Sequence, residues 1–487
     1  MRKFAILALL LILSIPAIGA NAQLGDVLTF GTPVTGTIAR DALERRYIFN
    51  AGGGEIILAR MNAIAPGLDT YLTLLDPAGV QIAVDDDGGG GRNSLLGPVR
   101  ISTPGAYILV ASSCCPGTIE PSTGDYSLVL TTLEPQSLSI STQAVFELPA
   151  PESVAAYTLE VQGPQLLLMD VSSLQGSGSI ILNAFDSQNQ QRTYDVRGTD
   201  PNSLYYPSLP AYFPESGSYI ISIRRDPNMI TDSAGSPVSG ITGGTIIVQS
   251  IPIAPYQLNT PQNGILDDAT PYLAFTFNAD PNALLALSGS TATPESDFEL
   301  LMYSPDGSIS YSASSAYSMN DAFAIDPLQL VAGGQYVIFI QRTSATGASV
   351  AGSTSVYSFT LAGSGIGTLV LGQAVSGTID ETTYERVYRL DGTAGQRLRF
   401  TISPVNDTFA PSVFIQGPEL GNPSGTSLSG SAVFNASMSS AVSATFSYEV
   451  TLPVSGVYLV RVNNGIYNPQ GTLLAGDFTL LVESASG

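Results

Sequence analysis

The sequence predicts an all-β protein built of four tandem β-sandwich, jelly-roll-like modules behind a cleaved signal peptide. Three observations lead there. Short apolar runs alternate with period two and are punctuated throughout by Gly and Pro, 49 and 32 of 487 residues, which is strand-and-turn patterning without a long helical period. A Gly-x-Tyr marker entering an apolar run occurs as Gly105-Ala106-Tyr107, Gly217-Ser218-Tyr219, Gly334-Gln335-Tyr336 and Gly456-Val457-Tyr458, the tyrosines 112, 117 and 122 residues apart. About twenty residues after each marker the unit closes on a further strand-like run, Tyr126–Leu130, Thr245–Val248, Tyr357–Leu361 and Phe478–Val482. That period is domain-sized, longer than the ~20–50 residues of a solenoid turn.

Residues 1–22 read as a secretory signal. Arg2 and Lys3 form its charged start, Phe4–Leu13 is an apolar run shorter than the ~20 residues that span a bilayer, and Ala20-Asn21-Ala22 has the small-x-small cleavage pattern. The mature chain is therefore expected outside the cytoplasm, secreted or associated with the cell surface, with no integral membrane segment. Lys3 is the single lysine, and the chain has no His and no Trp. Without Arg2 and Lys3, 16 arginines face 40 acidic residues, a net charge of −24. Such acidity repels phosphate backbones and excludes nucleic acid as a natural partner. With 44% hydrophobic and only 12% charged residues, the chain is nevertheless a globular one.

Four modules follow in order: 23–133, 134–252, 253–363 and 364–487. In the first, Gly36-Thr37-Ile38, Arg45–Phe49, Glu55–Ala59 and Tyr71–Leu75 read as strands. Asp76-Pro77-Ala78-Gly79 is a turn with Pro at its second position, and Asp85-Asp86-Asp87 followed by four glycines is an acidic loop. Seven or eight strands are expected in about 110 residues, as in a sandwich or jelly roll. The second module is degenerate. It keeps the Gly217 turn but lacks the acidic loop, with Asp195–Asp200 near its place. The third repeats the hairpin turn as Ser304-Pro305-Asp306-Gly307, and the fourth opens on Gly377-Thr378-Ile379 but carries a Gly/Ser-rich loop, Gly417–Ser431. Linkers of a few residues suggest that neighbouring modules touch.

The series Gly36-Thr37-Ile38, Tyr47–Phe49, Asp69-Thr70-Tyr71-Leu72, Asp76–Gly79, Asp85–Gly89, Gly105-Ala106-Tyr107 and Gly124-Asp125-Tyr126 resembles the bacterial pre-peptidase C-terminal domain family. The match is best in 23–133, weaker in 253–363 and 364–487, and degenerate in 134–252. The resemblance implies non-catalytic β-sandwich modules of the kind appended to secreted peptidases, some binding collagen and some calcium. This chain carries no peptidase domain ahead of its modules.

The residue inventory removes most catalytic chemistry. Without His there is no Ser-His-Asp or Cys-His machine, and without Lys there is no Schiff base. A carboxylate pair working on a glycosidic bond is a distant third reading. Asp69, Asp85, Asp86 and Asp87 are candidate calcium ligands, because hard oxygens converging on a turn suit that ion. The competing reading is a solvated hairpin tip. Cys114 and Cys115 are the two cysteines. A vicinal disulfide is preferred over two thiols or a bond to another chain, although adjacent Cα atoms at ~3.8 Å lie below the usual ~4.4–6.8 Å span. The Gly-x-Tyr tyrosines read as structural, their rings buried and their hydroxyls at the edge. Tyr205, Tyr206 and Tyr212 read as exposed and suited to a contact surface. The function expected is binding or adhesion to an extracellular protein or polysaccharide. The alternative is a self-associating cell-surface protein whose partners are copies of itself.

Overall fold

A computed structural model describes residues 25–64, 67–114, 121–198, 208–228, 239–292, 297–314, 322–343, 352–380, 385–405, 411–417, 432–436, 445–464 and 476–485. The secretory signal falls outside them. The described residues form thirty-six strands and no helix. The chain divides into two compact units, Met1–Glu134 and Pro135–Gly487.

The first unit is one sandwich of nine strands: β1 (Asp26–Val27), β2 (Val34–Ile38), β3 (Glu44–Ala51), β4 (Ile56–Ala63), β5 (Thr70–Leu75), β6 (Gln81–Asp85), β7 (Ser94–Arg100), β8 (Gly105–Ser113) and β9 (Gly124–Leu133). One sheet has the order β1-β3-β8-β5-β6 and the other β2-β9-β4-β7. Between them lies a core that includes Ile38, Tyr47, Phe49, Met61, Leu72, Tyr107 and Leu128. The sequence led to seven or eight antiparallel strands. The ninth is the two-residue β1, which pairs parallel to β3 through Asp26–Tyr47 and Val27–Ile48. A two-residue strand is too short to show alternation.

The second unit repeats this sandwich three times, as β10–β18 within 136–251, β19–β27 within 253–363 and β28–β36 within 367–484. Adding nine to each label of the first sandwich reproduces the order of every later sheet. The second copy is degenerate only in sequence. It retains both sheets and a core of its own.

Each recurring motif has a physical role. The tyrosine of every Gly-x-Tyr donates its hydroxyl to the carbonyl four residues earlier. Tyr107 bonds Thr103 at 2.8 Å, Tyr219 bonds Glu215 at 3.0 Å, Tyr336 bonds Ala332 at 2.9 Å and Tyr458 bonds Val454 at 2.7 Å. The buried ring thus fills the core while its polar end is satisfied at the sandwich corner. The preceding glycine makes room for the hairpin turn. A Cβ on Gly105 would lie 2.6 Å from Pro77, and one on Gly334 would lie 3.0 Å from Pro305. Gly36 sits over the hydroxyls of Tyr126 and Tyr47, which bond each other at 2.7 Å, so a Cβ there would collide with both. Thr37 beside it donates to Asp125, and Thr378 donates to Asp477 in the fourth copy.

The sandwiches of the second unit meet through sheet faces. The outward side of the four-stranded sheet of the second copy supplies Leu166, Leu168, Tyr212 and Ile251. The five-stranded sheet of the third copy supplies Ala274, Tyr303, Val337 and Phe339, and together they form a separate apolar cluster. Tyr303 is buried there and donates to the Pro210 carbonyl at 2.8 Å, which satisfies both groups. At the rim Arg192 donates to the Asp306 carbonyl at 2.6 Å and pairs with buried Asp186 at 2.6 Å. Tyr212 is therefore not exposed, as its Pro-rich surroundings suggested. It is buried against Tyr303, with ring centroids 6.3 Å apart. Tyr205 and Tyr206 lie outside the described residues.

Candidate functional site

The acidic corner of the first sandwich holds the sequence-selected carboxylates. Asp69 precedes β5, Asp85 ends β6, and Asp86 and Asp87 open the glycine loop that leads to β7. Asp85 belongs to the loop itself. Its Oδ1 accepts from Gly88 N at 3.0 Å and from Leu95 N at 2.6 Å, closing the loop like a staple. That explains a glycine at 88, because a Cβ there would lie 2.3 Å from Asp85 Oδ2. Gly89 N donates to the Asn93 carbonyl at 2.7 Å, and Asn93 Oδ1 accepts from Ala63 N at 2.9 Å. Asn93 is thus a second organiser of the loop, which composition alone did not single out.

The remaining carboxylates face one another more openly. Asp86 Oδ1 accepts from Asp87 N at 2.8 Å, and Cys114 Sγ lies 3.5 Å from Asp86 Oδ2. The Asp69 backbone is tied down, with its N–H donating to Ser122 Oγ at 2.9 Å and its carbonyl accepting from Cys114 N at 2.9 Å. Asp69 Oδ1 is a buried oxygen with no hydrogen-bond partner. The Asp87 carboxyl is pushed above its ordinary value by burial first, then by the charges of Asp86 and Asp69, against the opposing pull of Arg92. Tyr71 is likewise pushed up, by burial and then by Asp86, Cys114 and Asp85. The corner is an electrostatically crowded turn.

Among the described residues no three His, Cys, Asp or Glu side chains are placed to hold a metal ion. Of the four carboxylates selected from sequence, Asp85 is engaged by the backbone of its own loop. Cys115 lies outside the described residues, so the proposed vicinal disulfide does too.

No family model matches the chain. No curated protein matches it either. Among solved structures, the chain is similar to the pre-peptidase C-terminal domain of collagenase from Bacillus anthracis, at 16% identity and a TM-score of 0.18, over 22% of this chain and 94% of that one. It is similar to the CUB1-EGF-CUB2 domain of human MASP-1/3, at 11% identity and a TM-score of 0.14, over 44% of this chain and 99% of that one. A third similarity, to tripeptidyl peptidase 2, has 10% identity and a TM-score of 0.17, covering 92% of this chain and 41% of that one. No helix is long and apolar enough to cross a membrane among the described residues.

The four copies share their interior and differ outside. The acidic loop, the interface tyrosines and the outward strand residues each differ from copy to copy, whereas the corner tyrosine bond is present in all four.

Proposed function

We propose that this is a secreted, non-catalytic, multi-module binding protein that adheres to an extracellular protein or polysaccharide. The observation that supports the reading best is one sandwich frame used four times with the same sheet order. An unchanging frame with varied loops and faces is how a scaffold presents binding surfaces, since recognition is grafted on loops and faces while the core only has to fold. The motif resemblance to pre-peptidase C-terminal domains agrees with that use. The inventory agrees as well, because a mature chain without His or Lys has no histidine general base and no lysine nucleophile. The leader sequence supports export.

The test is a binding screen of full-length mature protein against immobilised collagen, other matrix proteins and bacterial and host polysaccharides. Saturable binding to one polymer class is expected, and it should weaken with salt if the acidic surface takes part. A protein that binds none of these and is recovered instead as large assemblies of itself would overturn the reading in favour of a structural surface protein.

A further inference from the structure

The outward side of the four-stranded sheet carries an assembly signal that is reversed in the last copy. Residues on that side are found by alternation with the core. Ile57, Ala59 and Met61 of β4 point inward, as do Leu167 and Met169 of β13 (Gln165–Gln175), Leu285 and Leu287 of β22 (Ala283–Thr291), and Leu398, Phe400 and Ile402 of β31 (Arg397–Pro404). The outward neighbours at the matching register are Ile56 and Leu58, Leu166 and Leu168, Leu284 and Ala286, and then Arg397 and Arg399.

In the second copy the apolar version is covered by the next sandwich. Leu166 and Leu168 lie in the cluster with Val337 and Phe339 of β26 (Gly334–Thr343). From the third copy, Gln329 Nε2 donates to the Val457 carbonyl of β35 (Gly456–Asn464) at 3.2 Å. Val457 and Leu459, on the outward side of that strand, are buried.

The fourth copy has a different face. Arg397 and Arg399 both pair with Glu449, at 3.1 and 2.5 Å, and all three side chains remain 38 to 47% exposed. Beside them hydroxyls pair across the strands, Thr401 with Ser447 at 2.8 Å and Ser403 with Thr445 at 2.9 Å. On β31 and the strand beside it, the outward positions Arg397, Arg399, Thr401, Ser403, Thr445, Ser447 and Glu449 are all charges or paired hydroxyls, and half-buried Leu481 of β36 (Gly476–Ser484) is an apolar residue beside them. Burying this face would desolvate three charged groups for a modest Coulombic gain.

We propose that Arg397, Arg399 and Glu449 cap the fourth sandwich, turning a sheet face used for stacking elsewhere into one that refuses another sandwich, including one from a second copy of this chain. The frame beneath is unchanged, so replacing all three side chains returns the centre of this face to apolar character. The inference does not depend on what ligand the protein binds.

The test is light scattering on full-length mature protein carrying R397L/R399L/E449L, compared with wild type and with R40L/R45L, a control that replaces two exposed arginines of the first sandwich. R397L/R399L/E449L should form dimers or larger species at concentrations where wild type and control are monomeric. The melting temperature of the folded chain should be nearly unchanged. A variant that stays monomeric overturns the proposal. So does a control that associates to the same extent, which would reduce the effect to lost charge. A wild type that assembles, and is dispersed by Thr401→Trp on this same face, overturns it as well.

Discussion

The outward face of β13 and that of β31 are the same strand in the same sheet position, and they have opposite surface chemistry. Gln165-Leu166-Leu167-Leu168-Met169 is apolar on both sides, because one side feeds the core of its own sandwich and the other the contact with the third. Arg397-Leu398-Arg399-Phe400-Thr401 alternates strictly, apolar within and polar without. The inner residues are interchangeable in kind. Whether a sandwich is joined to a neighbour is therefore decided by the outward residues, independently of whether it folds.

Breaking the buried face should have the largest effect. Leu168→Asp places an unpaired carboxylate among Tyr303, Val337 and Phe339, a change of about 3–5 kcal/mol for an uncompensated buried charge. In calorimetry the second and third sandwiches should melt earlier and separately. Arg399→Asp at the matching place in the fourth copy should change stability by less than about 1 kcal/mol, since the pair it removes is exposed. Equal effects at the two positions would dissolve the contrast.

Tyr303→Phe is the next step down. It keeps the ring but leaves the Pro210 carbonyl without its donor, at a cost of about 1–3 kcal/mol measured by chemical denaturation. The corresponding change within a single sandwich, Tyr107→Phe, strips a carbonyl nearer to solvent and should cost less.

The hairpin turn sharpens the comparison between copies. Asp76 Oδ1 accepts from Ala78 N and Val80 N in the first copy, and Asp186 Oδ1 accepts from Gln188 N and Gln190 N in the second. The left-handed position is Gly79 in one, with φ 82°, and Asn189 in the other, with φ 62°. Asn189→Gly should be nearly neutral and Asn189→Ala should destabilise by about 1 kcal/mol, because only Gly and Asn enter that region readily.

The acidic corner gives the smallest effect. The Asp87 carboxyl is raised in the folded protein, so its ionisation opposes folding. The associated stability is present below the unfolded pKa and is lost as pH rises through the higher folded value. Asp87→Asn should raise the melting temperature of the first sandwich by about 1–2 °C at neutral pH and leave it unchanged near pH 3. Melts that coincide in calcium and in chelator would leave the corner a solvated hairpin tip. A rise in calcium that Asp87→Asn abolishes would give the corner a cation.

Much of this architecture was legible in the residues. Period-two runs and the Gly-x-Tyr spacing fix a repeated sandwich, because alternation and turn chemistry are local properties. The corner tyrosine was legible for the same reason. The second copy looked degenerate because it lacks the acidic loop; its hairpin turn departs as well, with Ser187 and Asn189 in place of Pro and Gly satisfying the same geometry by different chemistry. Sheet order is set by long-range pairing and leaves no mark on a single strand. Leu166-Leu167-Leu168-Met169 did hold the signal for the inter-sandwich contact, since a strand covered on both faces reads as a continuous apolar run. The proline-rich setting of Tyr212 suggested exposure instead. At the acidic corner, a run of Asp and Gly serves equally for ligation and for turn closure, and the bonds from Gly88 and Leu95 to Asp85 are visible only in three dimensions.

Outward sheet residues join the second and third sandwiches into one cooperative body. Amide hydrogen exchange on full-length protein, wild type beside Leu168→Asp, reads this out strand by strand. One substitution in β13 should lower protection together in β16 (Ser208–Phe213) of its own sandwich and in β23 (Asp297–Tyr303) and β26 of the next, leaving β31 and β36 (Gly476–Ser484) untouched. Protection lost in the second sandwich alone, with β23 and β26 unchanged, would contradict it.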